Sequence, residues 1–216
     1  MATTTIANRQ SQARKVVKGL KELYPEATCE LRFSNPLELL IATILSAQCT
    51  DVRVNEVTST LFPKYPTAAD FAQVSQAELE DQIKPTGFFR QKAMSVRRTA
   101  QLLVERHKGQ VPKSLDELVK LRGVARKTAN VVLGTAYGIP SGVVVDTHVH
   151  RLSYRLGLSD EEDPVKIEQD LMALIPKKDW IWFGHAMIWH GRRVCTARRP
   201  ACSECGLRAF CPRRGL

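Results

Sequence analysis

Four cysteines, Cys195, Cys202, Cys205 and Cys211, crowd into the end of the chain with the spacing C-x6-C-x2-C-x5-C. Four thiols inside seventeen residues cannot all avoid one another, so the segment must close into a loop around a shared bond or a shared centre. No apolar h-region stands before Pro25, so no secretory signal is read and a disulfide framework is disfavoured. Metal binding is the leading reading. The C-x2-C pair suits two ligands on one centre. Zinc ribbons pair two such hooks, whereas here one hook is flanked by wider arms. A [4Fe–4S] cluster tolerates wide arms because its ligands bind separate iron corners. Spacing alone leaves zinc and iron–sulfur both open. Cys29 and Cys49 stand apart from the group.

The same segment is strongly basic. Gly191 to Leu216 holds seven Arg against the single acid Glu204. It supplies most of the net +10 that follows from 32 Lys+Arg and 22 Asp+Glu. A second basic run, Lys84 to Lys108, holds seven Lys and Arg and only Glu105. Such a balance points to a polyanionic partner, nucleic acid before an acidic membrane surface, although a solvated face would look the same. With 216 residues and 44% hydrophobic content, the chain can bury one good core or two small ones, which excludes disorder. Its longest uncharged stretch, Ala129 to Val145, is broken by Gly134, Gly138, Pro140 and Gly142, so no membrane span is expected. The first 21 residues lack acids and carry five Lys and Arg, a faint likeness to a transit peptide.

Helix signals dominate, and the expected fold class is all-α. Ser11 is read as a cap for a helix through Ala13, Val16, Val17 and Leu20. Asn35-Pro36 opens a helix with the stripe Leu37, Leu40, Ile41, Ile44 and Leu45. Asp51 starts another, ending near Pro63. Ser75-x-x-Glu78 and Ser114-x-x-Glu117 read as capping boxes, with Gly87 stopping the helix of the first. Arg90 to His107 predicts a long helix with Ala93, Val96, Ala100, Leu103 and Val104 on one face. Further helices are expected over Arg126 to Tyr137, from Asp163-Pro164 onward, and over Asp179 to His190. Val143 to Val145 is too short to found a sheet.

Two local patterns suggest chemistry. The stretch Leu121-Arg122-Gly123-Val124-Ala125-Arg126-Lys127 joins two helices through a very short connection. The free amides at the start of the second helix form an anion site. Lys127 falls in that first turn, where the helix dipole disfavours a cation. In a partly dry cleft such a lysine sheds its proton more readily and can attack a sugar carbon or form a Schiff base. The bland alternative is a surface lysine on a phosphate. Asp146 follows three valines and is by default the N-cap of the next helix. Its functional alternative is a carboxylate at the mouth of a cleft, stabilising positive charge. His148 and His150 suit either a core or a DNA-facing position.

Taken together, these elements resemble the endonuclease III family of base-excision glycosylases, in the helix-hairpin-helix superfamily. The landmarks are Leu45-Ser46-Ala47-Gln48-Cys49-Thr50-Asp51, Gly87-Phe88-Phe89, Arg126-Lys127-Thr128-Ala129-Asn130, Val145-Asp146-Thr147-His148 and the four Cys. They run from about Ala13 to Cys211. The resemblance implies a two-domain helix-hairpin-helix glycosylase fold with a [4Fe–4S] cluster loop held by Cys195, Cys202, Cys205 and Cys211. It assigns 29–139 to a six-helix barrel with the hairpin, and 1–28 with 140–216 to the cluster domain. Damaged double-stranded DNA would lie between the domains, with Lys127 and Asp146 facing each other from opposite sides.

The resemblance further implies an N-glycosylase and abasic-site lyase that removes oxidised pyrimidines and cuts 3′ to the lesion by β-elimination through a lysine Schiff base. Lys127 and Asp146 would be catalytic. Gln48 and Phe88 would fill the gap left by the flipped base. The hairpin residues Gly123, Val124, Ala125 and Arg126, with His148, Arg198 and Arg199, would contact DNA. A monomer with no membrane partner is expected, cytoplasmic and nucleoid-associated if the source is prokaryotic. Lys127 separates this chain from the adenine-mismatch branch, which carries Ser and a further C-terminal domain, for which the five residues after Cys211 leave no room. It also separates the chain from thymine-mismatch relatives, which usually carry Tyr. The 8-oxoguanine branch keeps a Lys but generally lacks the Cys group. The hairpin departs from the usual Leu-Pro-Gly-Val-Gly at Arg122 and Ala125. If the second glycine needs positive φ, Ala125 costs about 1 kcal/mol. Other readings are an abasic-site lyase acting on uracil or mismatched thymine, and a duplex-binding module without chemistry.

Overall fold

The computed structural model of the chain describes residues 6–216. Part of the leader-like composition falls on residues 1–5, outside the described residues. The chain divides into two compact units, one made of Met1–Thr28 with Pro140–Leu216 and the other of Cys29–Ile139. All regular elements among the described residues are helical. Among the described residues no helix is long and apolar enough to cross a membrane.

The continuous unit contains α2 (Pro36–Leu45), α3 (Asp51–Lys64), α4 (Ala68–Gln73), α5 (Gln76–Ile83), α6 (Phe89–His107), the single-turn α7 (Leu115–Leu118) and α8 (Arg126–Tyr137). In α2 every residue from Leu39 to Leu45 is buried. A helix apolar on all faces belongs inside a core, and α2 packs on α3, α6 and α8. Helix α8 is likewise buried from Thr128 to Gly134. Asn35 caps α2, its Oδ1 accepting from the Glu38 amide at 3.0 Å, and Pro36 takes the first helical position. The two buried helices thereby fix the chain segments that leave α2 at Ser46 and enter α8 at Ala125.

The discontinuous unit holds α1 (Ile6–Leu23), α9 (Thr147–Arg155), α10 (Pro164–Leu174) and α11 (Trp180–Arg193). Its core joins Ala13, Val16 and Leu20 of α1 to Val149 and Leu152, Ile167 and Leu171, Phe183 and Met187, and Leu207 of the terminal loop. Gly191 allows α11 to approach α9, because a Cβ there would lie 2.8 Å from the His148 Cβ.

Several local expectations need correction. Helix α1 already runs at Ile6, so Ser11 lies within it and caps nothing. Helix α3 keeps its expected bounds, starting at Asp51 and ending one residue past Pro63, with the Thr50 side chain as its cap. Ser75 does accept from the Glu78 amide, but the Glu78 carboxylate turns away to Tyr65 Oη at 2.7 Å and Lys64 at 2.9 Å. The complete capping box is instead Thr67 with Asp70 on α4, a helix the hydrophobic pattern does not reveal. Ser114 makes no cap, and Glu117 pairs with Lys120. On α6 the buried stripe is Lys92, Ala93, Val96, Thr99, Ala100, Leu102 and Leu103, while Val104 is exposed.

Candidate active site and metal centre

The hairpin before α8 is built on one residue with a special backbone. Gly123 has φ 76°, and a Cβ there would meet the Ser95 Cβ at 3.0 Å. Glycine is therefore required twice, by torsion and by space. Val124 is buried and anchors the turn. The Thr99 hydroxyl, from α6, donates to the Arg122 carbonyl at 2.6 Å and holds the near side. Ala125 is extended at φ −80°, so the strain expected at this position is absent. Ala125 offers no side-chain cap to α8, whose N-terminus is the kind of helix end that suits an anion. Lys127 lies in that first turn and is exposed, not half-dry as expected. Its exposure follows from its register, since Thr128 and Ala129 take the buried face.

Asp146 stands in the other unit, at the N-cap of α9. Its Oδ1 accepts from the amides of His148 at 2.8 Å and Val149 at 2.9 Å. The cap uses that one oxygen. His148 is half-buried, and its Nδ1 accepts from Arg151 Nη2 at 3.2 Å. Burial holds its pKa below the usual value, so the ring supports Arg151 as a neutral acceptor.

In the continuous unit, Gln48 and Phe88 share a cavity rim with Ile44, Ala47, Gln91, Lys92, Ser95 and Gly123. Both have left-handed backbones, at φ 51° and φ 47°. Such torsions are uncommon outside glycine and cluster at functional sites. Phe88 is 66% exposed, which removes the alternative of a core aromatic. The sequence reading misses Lys92, counting it in a basic surface run. The available signal was its place on the apolar stripe of α6, four residues before Val96.

The four terminal cysteines line one cavity with Leu152, Arg155, His190 and Arg208. All are free thiols. Among the described residues no three His, Cys, Asp or Glu side chains converge to hold one metal ion. Four thiols lining one cavity fit a polynuclear centre, in which each would bind its own iron. Burial pushes the Cys205 and Cys211 thiols up, and the neighbouring cysteines push the same way. Such a set ionises readily only around a cation. Cys205 Sγ lies 3.5 Å from His190 Nε2, and His190 Nδ1 lies 3.1 Å from Tyr24 Oη. Burial pushes the His190 pKa down to about 4.

The first arm of the loop is clamped from α9. Arg155 donates to the carbonyls of Thr196 at 2.8 Å and Ala197 at 2.9 Å, and to Cys195 Sγ at 3.4 Å. Arg151 donates to the Cys195 carbonyl at 2.9 Å. The sequence reading assigns neither arginine a role. Arg198 and Arg199 remain exposed at the tip of this arm.

Residues 41–177 match the HhH-GPD superfamily of base excision DNA repair proteins. Residues 195–211 match the iron–sulfur binding domain of endonuclease III. The chain is 53% identical to endonuclease III of Synechocystis sp. over 207 residues, covering 96% of this chain and 94% of that protein. Two solved structures are similar over 99% of this chain and 97% of theirs, each with a TM-score of 0.91. One is a non-covalent endonuclease III–DNA complex at 44% identity, the other a trapped endonuclease III–DNA covalent intermediate with an estranged adenine, at 43%.

Proposed function

The chain belongs to the endonuclease III family of the helix-hairpin-helix base-excision superfamily, and from that premise we propose that Lys127 and Asp146 carry its chemistry. The protein is a DNA N-glycosylase and abasic-site lyase of base-excision repair. It carries a [4Fe–4S] cluster, which Cys195, Cys202, Cys205 and Cys211 would hold within the terminal loop. DNA is its partner; damaged duplex as the substrate and a monomer as the working form are part of the proposal.

The observation that carries the reading is the state of α8. Its first amides have no side-chain cap, and an exposed lysine stands among them. Amides and hairpin hold the backbone phosphate; Lys127 is left over for the sugar. A damaged pyrimidine is first flipped out, since its anomeric carbon is unreachable in the stack. The neutral Lys127 amine then attacks C1′, and the base departs with the electron pair of the glycosidic bond and takes up a proton. Asp146 steadies the positive charge developing on the sugar and takes the proton the lysine loses. The sugar opens to an imine on Nζ. The imine acidifies C2′, a proton leaves it, and the C3′–O bond breaks with the 3′ phosphate as leaving group. Gln48 and Phe88 occupy the vacated space, the amide toward the orphaned base and the ring between its neighbours.

Borohydride reduction on duplex DNA holding an oxidised pyrimidine tests this. The wild-type protein forms a covalent adduct; Lys127→Gln forms none while still binding DNA. Absence of an adduct on every damaged or abasic duplex overturns the reading.

A further inference from the structure

Lys92 is only 5% exposed although it carries a charge. It sits near the start of α6, where the helix dipole also disfavours a cation. A buried ammonium persists only where its donors are used. Lys92 Nζ donates to the Thr86 carbonyl at 2.7 Å. Thr86 ends a one-turn 3-10 helix, Lys84–Thr86, and the chain then turns through Gly87 at φ 70° and Phe88 at φ 47°. The Thr86 hydroxyl is already committed to the Ile83 carbonyl at 2.8 Å. At the other end of the turn, the Lys92 amide donates to the Phe88 carbonyl at 3.1 Å. One residue therefore grips the turn at both ends, by side chain and by backbone.

Nothing comparable holds the Phe88 side chain itself. It is exposed, and α6 has no side-chain cap at Phe88. Its outward direction is set by the backbone of the turn. Lys92 also lines the cavity that Gln48, Phe88 and Gly123 share. Burial lowers the Lys92 pKa from its ordinary value, and Cys49, the neighbour of Gln48, acts against that shift. The ammonium thus lies beside both left-handed turns.

We propose that Lys92 is a positioning residue for base flipping: it fixes the Thr86–Phe88 turn so that Phe88 enters the stack, and it touches no DNA. The proposal rests on the reading of Phe88 as the wedge. Its loss therefore impairs opening of the duplex and leaves the lyase chemistry of Lys127 alone. Misplacement of a positioned group by about 1 Å can lower a rate by up to about 10²-fold.

The test uses the cluster-loaded protein and four variants, Lys92→Met, Lys92→Arg, Phe88→Ala and the double Phe88→Ala/Lys92→Met. Unstacking is followed by 2-aminopurine fluorescence beside an oxidised pyrimidine in duplex DNA. Single-turnover excision is measured on the same duplex, and strand cleavage on a single-stranded abasic site, which needs no wedge. Lys92→Met is expected to lose roughly ten- to hundredfold in unstacking and excision, with cleavage of the single-stranded site within about twofold. Lys92→Arg should recover most of the loss, and the double variant should be no worse than Phe88→Ala, since both act through one turn. Unchanged excision by Lys92→Met, additive losses in the double variant, or equal losses on the single-stranded site overturn the proposal. Wild-type behaviour of Phe88→Ala sinks the wedge reading instead. If Lys92→Met does not fold, Lys92→Gln replaces it; its shorter reach should lower excision, and wild-type excision by it overturns the proposal.

Discussion

The two oxygens of Asp146 make the cap compatible with the catalytic role proposed for it. Oδ1 accepts both amides at the start of α9, so the cap does not require the carboxylate to be charged. Asn can make the same two bonds through its amide oxygen. Asp146→Asn should therefore keep the fold and DNA affinity and lose single-turnover rate. Asp146→Ala should lose that rate and also about 1 kcal/mol of stability, a fall in Tm of about 2–4 °C for a chain of this length. A thermal melt and a single-turnover assay on both variants check it; a large loss of affinity in Asp146→Asn would leave only the structural role. Asp146 was legible in the sequence because a cap is a local pattern, and so was Lys127 at the start of a short-linked helix. Lys92 was legible only as a place on the apolar stripe of α6, since its burial is decided by what that helix packs against.

Helix α9 joins the proposed catalytic Asp146 to the cluster loop. Asp146 caps its beginning, and Arg151 and Arg155 near its end hold the carbonyls of Cys195, Thr196 and Ala197. Arg155 is 7% exposed, so its removal takes the charged donor from the Thr196 and Ala197 carbonyls. Arg155→Met should cost about 1–3 kcal/mol and speed loss of the cluster, read as decay of its visible absorption in air. The hairpin gives a sharper contrast. Gly123→Ala forces a side chain into φ 76° against Ser95, and about 1–2 kcal/mol should be lost. Ala125→Gly relieves no strain, because φ is −80°, and should lower stability by about 0.4–1 kcal/mol through the freer unfolded chain. Denaturant midpoints of the two variants decide this. The apolar runs of α2 and α8 announced themselves. The Ser114 box failed because its helix is a single turn, too short to need the cap, and α4 escaped because six residues show no period.

Across the whole molecule the net +10 is not one reservoir of DNA-binding charge. Lys92, Arg151 and Arg155 spend their donors inside the protein. Arg9 and Arg214 both pair with Asp160. Arg198 and Arg199 are exposed on the first arm of the loop and free to meet phosphate. These internal uses depend on folding, which is why composition could point to nucleic acid but could not say which cations serve it. If about 6–10 phosphates are neutralised, affinity for duplex should fall by roughly 10³–10⁵ between 50 and 200 mM salt. Each lost phosphate contact lowers the slope of log affinity against log salt by about 0.9. The double variant Arg198→Ala/Arg199→Ala should therefore flatten the slope by about 1.8 if both arginines touch phosphate. Lys92→Met should lower excision with the slope unchanged, because its ammonium is buried and donates to the Thr86 carbonyl. Binding titrations of the two variants over that salt range separate the charges that hold DNA from the charges that hold the protein. An unchanged slope in the arginine pair would mean that these side chains merely offset the charge of the thiolate-ligated centre.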